Sequence, residues 1–303
     1  MPGLKISSVL TRARGLLRAA SGLPPETGSI NPPALRIEAD RQYDMRYPTW
    51  VNSIDIFHGQ WSGSLPSLEM PAGSGANLAF YNDIRLHDFD AKIGGFSGKS
   101  VIELGPLEAG HSYLLEKFGA ADNLAIEANT AAFLKCLIVK EILGLKSHFL
   151  LGDFNKYLSD NNRRFDVVLA CGVLYHQIDP LGLIEGMTKA ADCICVWTQY
   201  YASTVQSNPG LSGKFSARPI MREFHGQTIE LYEYYYAGAR RRAGFTGGAQ
   251  VSSFWMTQPG IIAAFDALGF VVEIMNVQTD HPNGPAMNFL ARRRSMPQGG
   301  VAA

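Results

Sequence analysis

From Lys99 to Thr198 short apolar runs alternate with segments of helical period, and no other feature of the chain constrains its fold as tightly. Runs of strand length stand at Ser100–Leu104, Leu124–Glu127, Ser147–Leu151, Phe165–Cys171 and Cys193–Thr198. Between them Glu108–Phe118, Thr130–Leu143 and Pro180–Ala190 read as helices, and a short helix follows Leu151. In the second of these, Phe133, Leu134, Leu137, Ile138 and Ile142 make an apolar stripe. In the third, Asp179 supplies an N-cap and proline fits the first helical position. The run Phe165-Asp-Val-Val-Leu-Ala-Cys171 is almost continuously apolar, as in a strand buried on both faces. Strand–helix–strand units of this length take right-handed crossovers, so the sequence predicts an α/β protein with a parallel, doubly wound sheet.

Around that centre the rhythm changes. Leu4, Val9, Leu10, Ala13, Leu16, Leu17 and Ala20 recur at helical spacing among Lys5, Arg12, Arg14 and Arg18. A docked or frayed terminal helix is expected there in preference to a membrane-surface or targeting one. With the Pro-rich linker at 21–35 it makes up residues 1–35. Residues 36–94 read as a cover over the main domain, with one short helix at Asn77–Phe89. Residues 199–256 are too long for a plain connection and rich in tyrosine (Tyr200, Tyr201, Tyr232, Tyr234, Tyr235, Tyr236). They are expected to build a lid, a substrate wall or a subunit contact. The rhythm resumes with a helix at Pro259–Leu268 and a strand at Gly269–Ile274. Only the turn-rich stretch Asp280-His-Pro-Asn-Gly-Pro285 precedes the next strand, Met287–Arg292, so these two strands should be antiparallel. The main domain thus spans 95–198 and 257–294, and 295–303 form a tail.

Lys plus Arg and Asp plus Glu both number 27, so no uniform field draws the chain to nucleic acid or to an anionic membrane. No apolar run reaches the ~18 residues of a transmembrane helix. Cys136, Cys171, Cys193 and Cys195 lie in apolar patterns without zinc-ligand spacing. They read as buried free thiols of a reducing compartment, the cytoplasm. No cluster of metal ligands is visible.

Ligands of open α/β sheets bind at the carboxyl ends of the strands. The first strand ends Glu103-Leu-Gly105-Pro106 and runs through Leu107-Glu-Ala-Gly110 into a helix, where glycine permits close backbone approach to a nucleotide-like ligand. The second ends at Glu127, placed to accept hydrogen bonds from ribose hydroxyls. The third ends Gly152-Asp153-Phe154, an acid for an adenine amino group and an aromatic for its ring. The fourth ends Cys171-Gly-Val-Leu-Tyr175-His176, at the mouth where a reactive group would lie. Each has a structural alternative. Glu103 could cap the next helix, Glu127 could be a solvated strand end, and Asp153-Phe154 could be a helix cap with a core aromatic. Tyr175 and His176 could simply be packed.

This ordered set resembles the class I S-adenosylmethionine (SAM)-dependent methyltransferases over roughly 95–200 and 257–294. The resemblance implies a Rossmann-like sheet of order 3-2-1-4-5-7-6 with strand 7 antiparallel, and SAM as cofactor. Glu103 and Gly105 match that family's acid-x-Gly-x-Gly-x-Gly loop, whereas Leu107 and Ala109 replace its later glycines and Gly110 comes one place late. It implies cofactor contacts from Glu103, Gly105, Glu127 and Asp153, and Pro106, Gly110, Phe154 and Cys171, on the same loop and strand ends, are candidates beside them. Gly172-Val-Leu-Tyr-His176 is similar to the fourth motif of tRNA wobble-uridine carboxymethyltransferases and of many small-molecule methyltransferases.

The reaction expected is direct displacement of the methyl group onto a small-molecule or sugar acceptor, at oxygen, with His176 as base and Tyr175 as a positioning group. His225, Glu230 and His281 are weaker candidates. Arg85 is a candidate for the methionine carboxylate, with a surface ion pair as its alternative. Two other readings stay open: an RNA-modifying methyl or carboxymethyl transferase using Arg240-Arg-Arg242 and Arg292-Arg-Arg294, which is not favoured, and a non-catalytic binding protein of the same fold. A nicotinamide dehydrogenase would carry Gly-x-Gly-x-x-Gly, which is absent. The oligomeric state is not legible.

Overall fold

The computed structural model describes residues 43–66, 78–241 and 245–294. The expected terminal helix, the linker, Arg242 and the tail lie outside them. Among the described residues, Tyr43–Tyr47 are exposed and belong to a different unit from the chain that begins at Pro48.

The second unit begins with α1 (Trp50–Asp55), a 3-10 turn at Leu78–Tyr81 and α2 (Ile84–Ile93). A single helix was expected at 77–89. Two form because the Asp83 side chain accepts the Arg85 backbone N–H at 2.9 Å and starts a fresh helix. The alternation then runs as β1 (Ser100–Leu104), α3 (Gly110–Lys117), β2 (Asp122–Glu127), α4 (Thr130–Leu143), β3 (His148–Leu151) and α5 (Phe154–Asp160). It continues with β4 (Val167–Cys171), a 3-10 turn at Leu174–His176, α6 (Pro180–Ala190) and β5 (Cys193–Gln199). Asp179 caps α6 through the Gly182 N–H at 3.0 Å, as its sequence promised.

β6 (Ile220–Phe224), β7 (Gln227–Tyr235) and β8 (Ser252–Met256) follow, then α7 (Gln258–Ala267), β9 (Phe270–Gln278) and β10 (Ala286–Arg293). The main sheet has seven strands in the order β3-β2-β1-β4-β5-β10-β9. β10 is antiparallel to both its neighbours, and the other pairs are parallel. This is the order the sequence led us to expect, β9 and β10 being the sixth and seventh strands.

Period-two alternation divides the core between the two faces of the sheet. Ile102, Val168 and Ile194 point to the side covered by Leu183, Ile184 and Met187 of α6 and Phe265 of α7. Val101, Leu169 and Cys195 point to the side covered by Leu86 and Phe89 of α2 and Leu114 and Leu115 of α3. Both faces are therefore dry, which is why the central strands read as unbroken apolar runs.

The insertion is a second sheet, β6-β7-β8, wholly antiparallel. Its hairpin turns on His225 and Gly226, with φ of 46° and 83°, the positive pair a two-residue hairpin loop requires. Ile229 and Leu231 join the main core, whereas Trp255 gathers Tyr201, Phe215 and Tyr234 into a separate aromatic cluster. No helix of the described residues is long and apolar enough to cross a membrane.

Candidate active site

The loop after β1 is tightly formed. Gly105 has φ +70°, and a Cβ there would lie 2.8 Å from Val173 Cγ1. Leu107 and Ala109, the residues standing where the resemblance expects glycine, have φ of 55° and 58°. The chain thus keeps left-handed backbone geometry with L side chains, at roughly 1–2 kcal/mol per residue. Gly110 opens α3 and has no room for a side chain, since a Cβ would meet the Phe80 carbonyl oxygen at 2.5 Å. Pro106 is buried beside Gly105.

Glu108 does not face the strand ends. Its carboxylate is fully buried and accepts the Ser62 N–H at 2.9 Å and the Gly63 N–H at 3.1 Å. The Lys135 ammonium donates to it at 2.8 Å, and the Tyr81 hydroxyl donates to its backbone carbonyl at 2.8 Å. The segment before the sheet is therefore bolted to this loop.

Two carboxylates end the adjacent strands β1 and β2. Glu103 is 1% exposed. Ser112 donates to its Oε2, while its Oε1 has no hydrogen-bond partner and lies 3.8 Å from His111 Nδ1. Burial pushes its pKa up, opposed by the His111 charge. Glu127 accepts the Leu107 N–H at 3.1 Å and the Asn129 N–H at 2.8 Å, and burial raises its pKa too. Glu127 is therefore not a solvated strand end.

Asp153 lies on the next strand end, because β2 pairs β3 with Glu127 opposite Leu151. It is exposed and caps α5 through the Asn155 N–H at 2.9 Å. Phe154 is 8% exposed and packs in the main core. This pair thus takes up the helix cap and core aromatic that formed its structural alternative, and only the Asp153 carboxylate stays open to solvent.

Across from these, Arg85 lies with its guanidinium 4.6 Å from the Trp197 ring centroid. It is not a surface pair. Its Nε donates to both Asp83 oxygens at 2.9 Å, and His111 Nε2 donates to Asp83 Oδ2 at 2.9 Å. Burial opposes the Asp83 charge, but these donors outweigh it and hold the carboxyl well below the usual range. Arg85, Asp83, His111 and Glu103 form one continuous polar chain from α2 to the end of β1. Asp83, His111 and Trp197 were not singled out in the sequence. The signals were an Asp before a helical run and a His directly after Gly110.

At the end of β4, burial lifts the partly buried Cys171 thiol to about 12, with the Arg85 charge opposing. The Tyr175 ring centroid is 4.1 Å from His176, 5.9 Å from Trp197 and 5.8 Å from Trp255. His176 Nδ1 and the Tyr236 hydroxyl are hydrogen-bonded at 2.7 Å. Burial lowers the His176 pKa to about 4 and raises that of Tyr236 to about 12. His281 stacks edgewise on Trp197 at 5.7 Å. His225 is spent on the hairpin turn, and Glu230 lies beside Tyr232 on β7.

No protein-family model matches the sequence, and no curated protein does. Solved structures share its backbone. The N-terminal domain of EvdMO1 in the presence of SAH and D-fucose is 20% identical over 77% of this chain and 91% of its own, with TM-score 0.56. The same domain with SAH bound is 19% identical over 77% of this chain and 92% of its own, also at 0.56. With its strand order and its antiparallel β10, the chain has the Rossmann-like methyltransferase fold.

Proposed function

We propose that this protein is a SAM-dependent methyltransferase that methylates an oxygen of a small-molecule or glycosyl acceptor, in the cytoplasm. The observation that carries this reading is the pair of buried carboxylates, Glu103 and Glu127, ending adjacent strands beside a left-handed glycine turn. The donor set fits the cofactor. Glu103 Oε1 is a buried acceptor without a partner, suited to the amino group of a methionine moiety. Glu127 would receive the ribose hydroxyls, Asp153 the adenine amino group and Arg85 the methionine carboxylate. Gly105, Pro106, Gly110 and Cys171 would line the cleft.

When bound, SAM supplies an activated methyl group whose departure from sulfur needs no acid. The protein's own tasks are to align the acceptor and to exclude water. The partly buried rings of Tyr175 and Trp197 would add apolar surface to the acceptor end of the cleft. His176 is uncharged at neutral pH and can take the acceptor proton. A sugar acceptor is consistent with the D-fucose present with the EvdMO1 domain. Part of the basic patch named for the RNA reading is engaged within the fold. Arg292 donates to the Lys92 carbonyl at 2.7 Å, Arg293 pairs with Asp192 at 2.5 Å, and Arg294 pairs with Asp266.

Calorimetry with S-adenosylhomocysteine tests the proposal. Saturable binding is expected, lost in Glu127→Ala while the circular dichroism spectrum is kept. Absence of heat with both SAM and S-adenosylhomocysteine would overturn it.

A further inference from the structure

The connection from β7 to β8 does not stay over the insertion's own sheet. Phe245 lies at the carboxyl end of β2, where Asn129 Nδ2 donates to its backbone carbonyl at 3.4 Å. Three residues on, Gly248 lies at the turn after β4, and a Cβ there would be 4.0 Å from the His176 carbonyl oxygen. The strand order sets β1 between β2 and β4, so the segment Phe245–Gly248 crosses the end of β1. The lengths agree. Two strand spacings make about 10 Å, and three residues of extended chain reach about 10 Å. The crossing spans the strand ends that carry Glu103, whose Oε1 has no partner, the Gly105 turn and Glu127.

Several contacts fix the crossing. Asn129 caps α4 by accepting the Ala132 N–H through Oδ1 at 3.1 Å, which leaves its Nδ2 to donate to Phe245. Its own N–H donates to Glu127 Oε1 at 2.8 Å, so one residue touches both the carboxylate assigned to the ribose and the segment above it. Gly247 is buried, and a Cβ there would meet the Phe245 and Tyr236 rings at 2.6 and 2.9 Å. Tyr236 is hydrogen-bonded to His176, and its backbone N–H donates to the Val251 carbonyl at 3.2 Å. Arg240 Nη2 donates to the Ala249 carbonyl at 3.0 Å. Phe154, the aromatic at the end of β3, is spent in the core. Phe245, half-buried and 5.1 Å from Tyr236 between ring centroids, brings an aromatic face to the end of β2 instead.

We infer that Phe245–Val251 is a strap by which the insertion completes the cofactor site, with Phe245 covering the nucleoside and Asn129 serving as its latch. The inference rests on the methyltransferase reading and deepens it, because the insertion then holds the cofactor as well as the acceptor. The latch is a single long hydrogen bond between neutral groups, which is weak enough to open at each exchange of cofactor. A ligand under the strap leaves only when Phe245 lifts from the end of β2.

The test uses the full chain with S-adenosylhomocysteine as the probe and needs no acceptor. Phe245→Ala should weaken binding by about 5- to 150-fold in calorimetry, the range of one aromatic–base stack. Asn129→Ser keeps a hydroxyl to cap α4 and removes the Nδ2 donor without adding charge. It should speed dissociation by about 2- to 10-fold in surface plasmon resonance, the worth of one hydrogen bond, with the circular dichroism spectrum unchanged. This variant decides the matter where Phe245→Ala fails to fold. In the wild type, hydrogen exchange of the Phe245–Val251 amides should slow when the probe is added. The strap is overturned by unchanged or tighter binding in folded Phe245→Ala, by an unaltered dissociation rate in Asn129→Ser, or by amides that exchange equally fast with and without the probe. Those results leave the methyltransferase reading standing as long as the wild type binds, whereas no binding by the wild type removes both.

Discussion

Replacing Lys135 by methionine would test how the loop after β1 is held. Lys135 is 6% and Glu108 0% exposed, and their charged atoms meet at 2.8 Å. The ammonium also donates to the Gln60 carbonyl and lies 5.3 Å from the Trp61 ring centroid. Methionine keeps the length and apolar stem of lysine but removes its charge. Glu108 would retain its backbone donors, Ser62 and Gly63, and lose the only cation that these contacts give it. Breaking a buried pair from one side costs about 3–5 kcal/mol, because the remaining charge stays desolvated. For a protein of this size each kcal/mol lowers Tm by roughly 2–4 °C, so the loss should be about 6–20 °C. Glu108→Gln should cost less, since the Lys135 ammonium it strands keeps the Gln60 carbonyl and the Trp61 ring, and an amide oxygen can still accept the backbone N–H groups. The double variant Glu108→Gln/Lys135→Met should be more stable than the sum of the two losses, by on the order of 2 kcal/mol. Urea unfolding followed by circular dichroism measures all four proteins. A Lys135→Met loss under about 1 kcal/mol, or strict additivity, would refute the buried-pair argument.

Two further outcomes follow from the same geometry. Ala109→Gly should leave stability within about 1 kcal/mol of the parent or raise it, because relief of the left-handed strain offsets the lost methyl packing. Gly105→Ala should be destabilising and should abolish S-adenosylhomocysteine binding, given its positive φ and the crowding by Val173; calorimetry and thermal melts read both. For His176, burial lowers the folded-state pKa to about 4, below its unfolded value. Its contribution is therefore complete above about pH 6.5 and is lost as pH falls toward 4, by roughly 2–3 kcal/mol. The difference in unfolding free energy between wild type and His176→Gln should shrink over that interval, and a constant difference from pH 7 to 4 would contradict the stated burial.

Much of this was readable from residue patterns, for a physical reason. A parallel sheet dry on both faces leaves apolar runs too regular to mistake, so β1 to β5 and the closing hairpin fell where Val, Ile, Leu and Phe cluster. β9 runs longer than expected, to Gln278, because an edge strand tolerates the polar residues that had marked its end. The insertion hid its sheet. In β7 the buried residues are Ile229 and Leu231, but the tyrosines after them blurred the alternation, and the His225-Gly226 turn is not among the familiar Asn-Gly or Asp-Gly signals. In the site, Glu103 and Glu127 could be picked out because strand ends are local. Asp83, His111 and Tyr236 could not, since each matters through a partner distant in the chain: Asp83 through His111, and Tyr236 through His176. Glu108 was legible only as part of a glycine-poor loop; its buried lysine partner lies on α4.

β10 enters the sheet between β5 and β9, pairing Ala286–Arg292 with Gln199–Cys193 on one side. During vectorial synthesis β5 is complete long before its neighbour has been made. The nascent chain must carry an unsatisfied, strongly apolar edge while the whole tyrosine-rich insertion, α7 and β9 are translated. A fragment released early, before Ala286, would expose that edge as a template for intermolecular pairing. Holdase chaperones are thus expected to matter most to this protein in the interval between the emergence of Gln199 and that of Arg293.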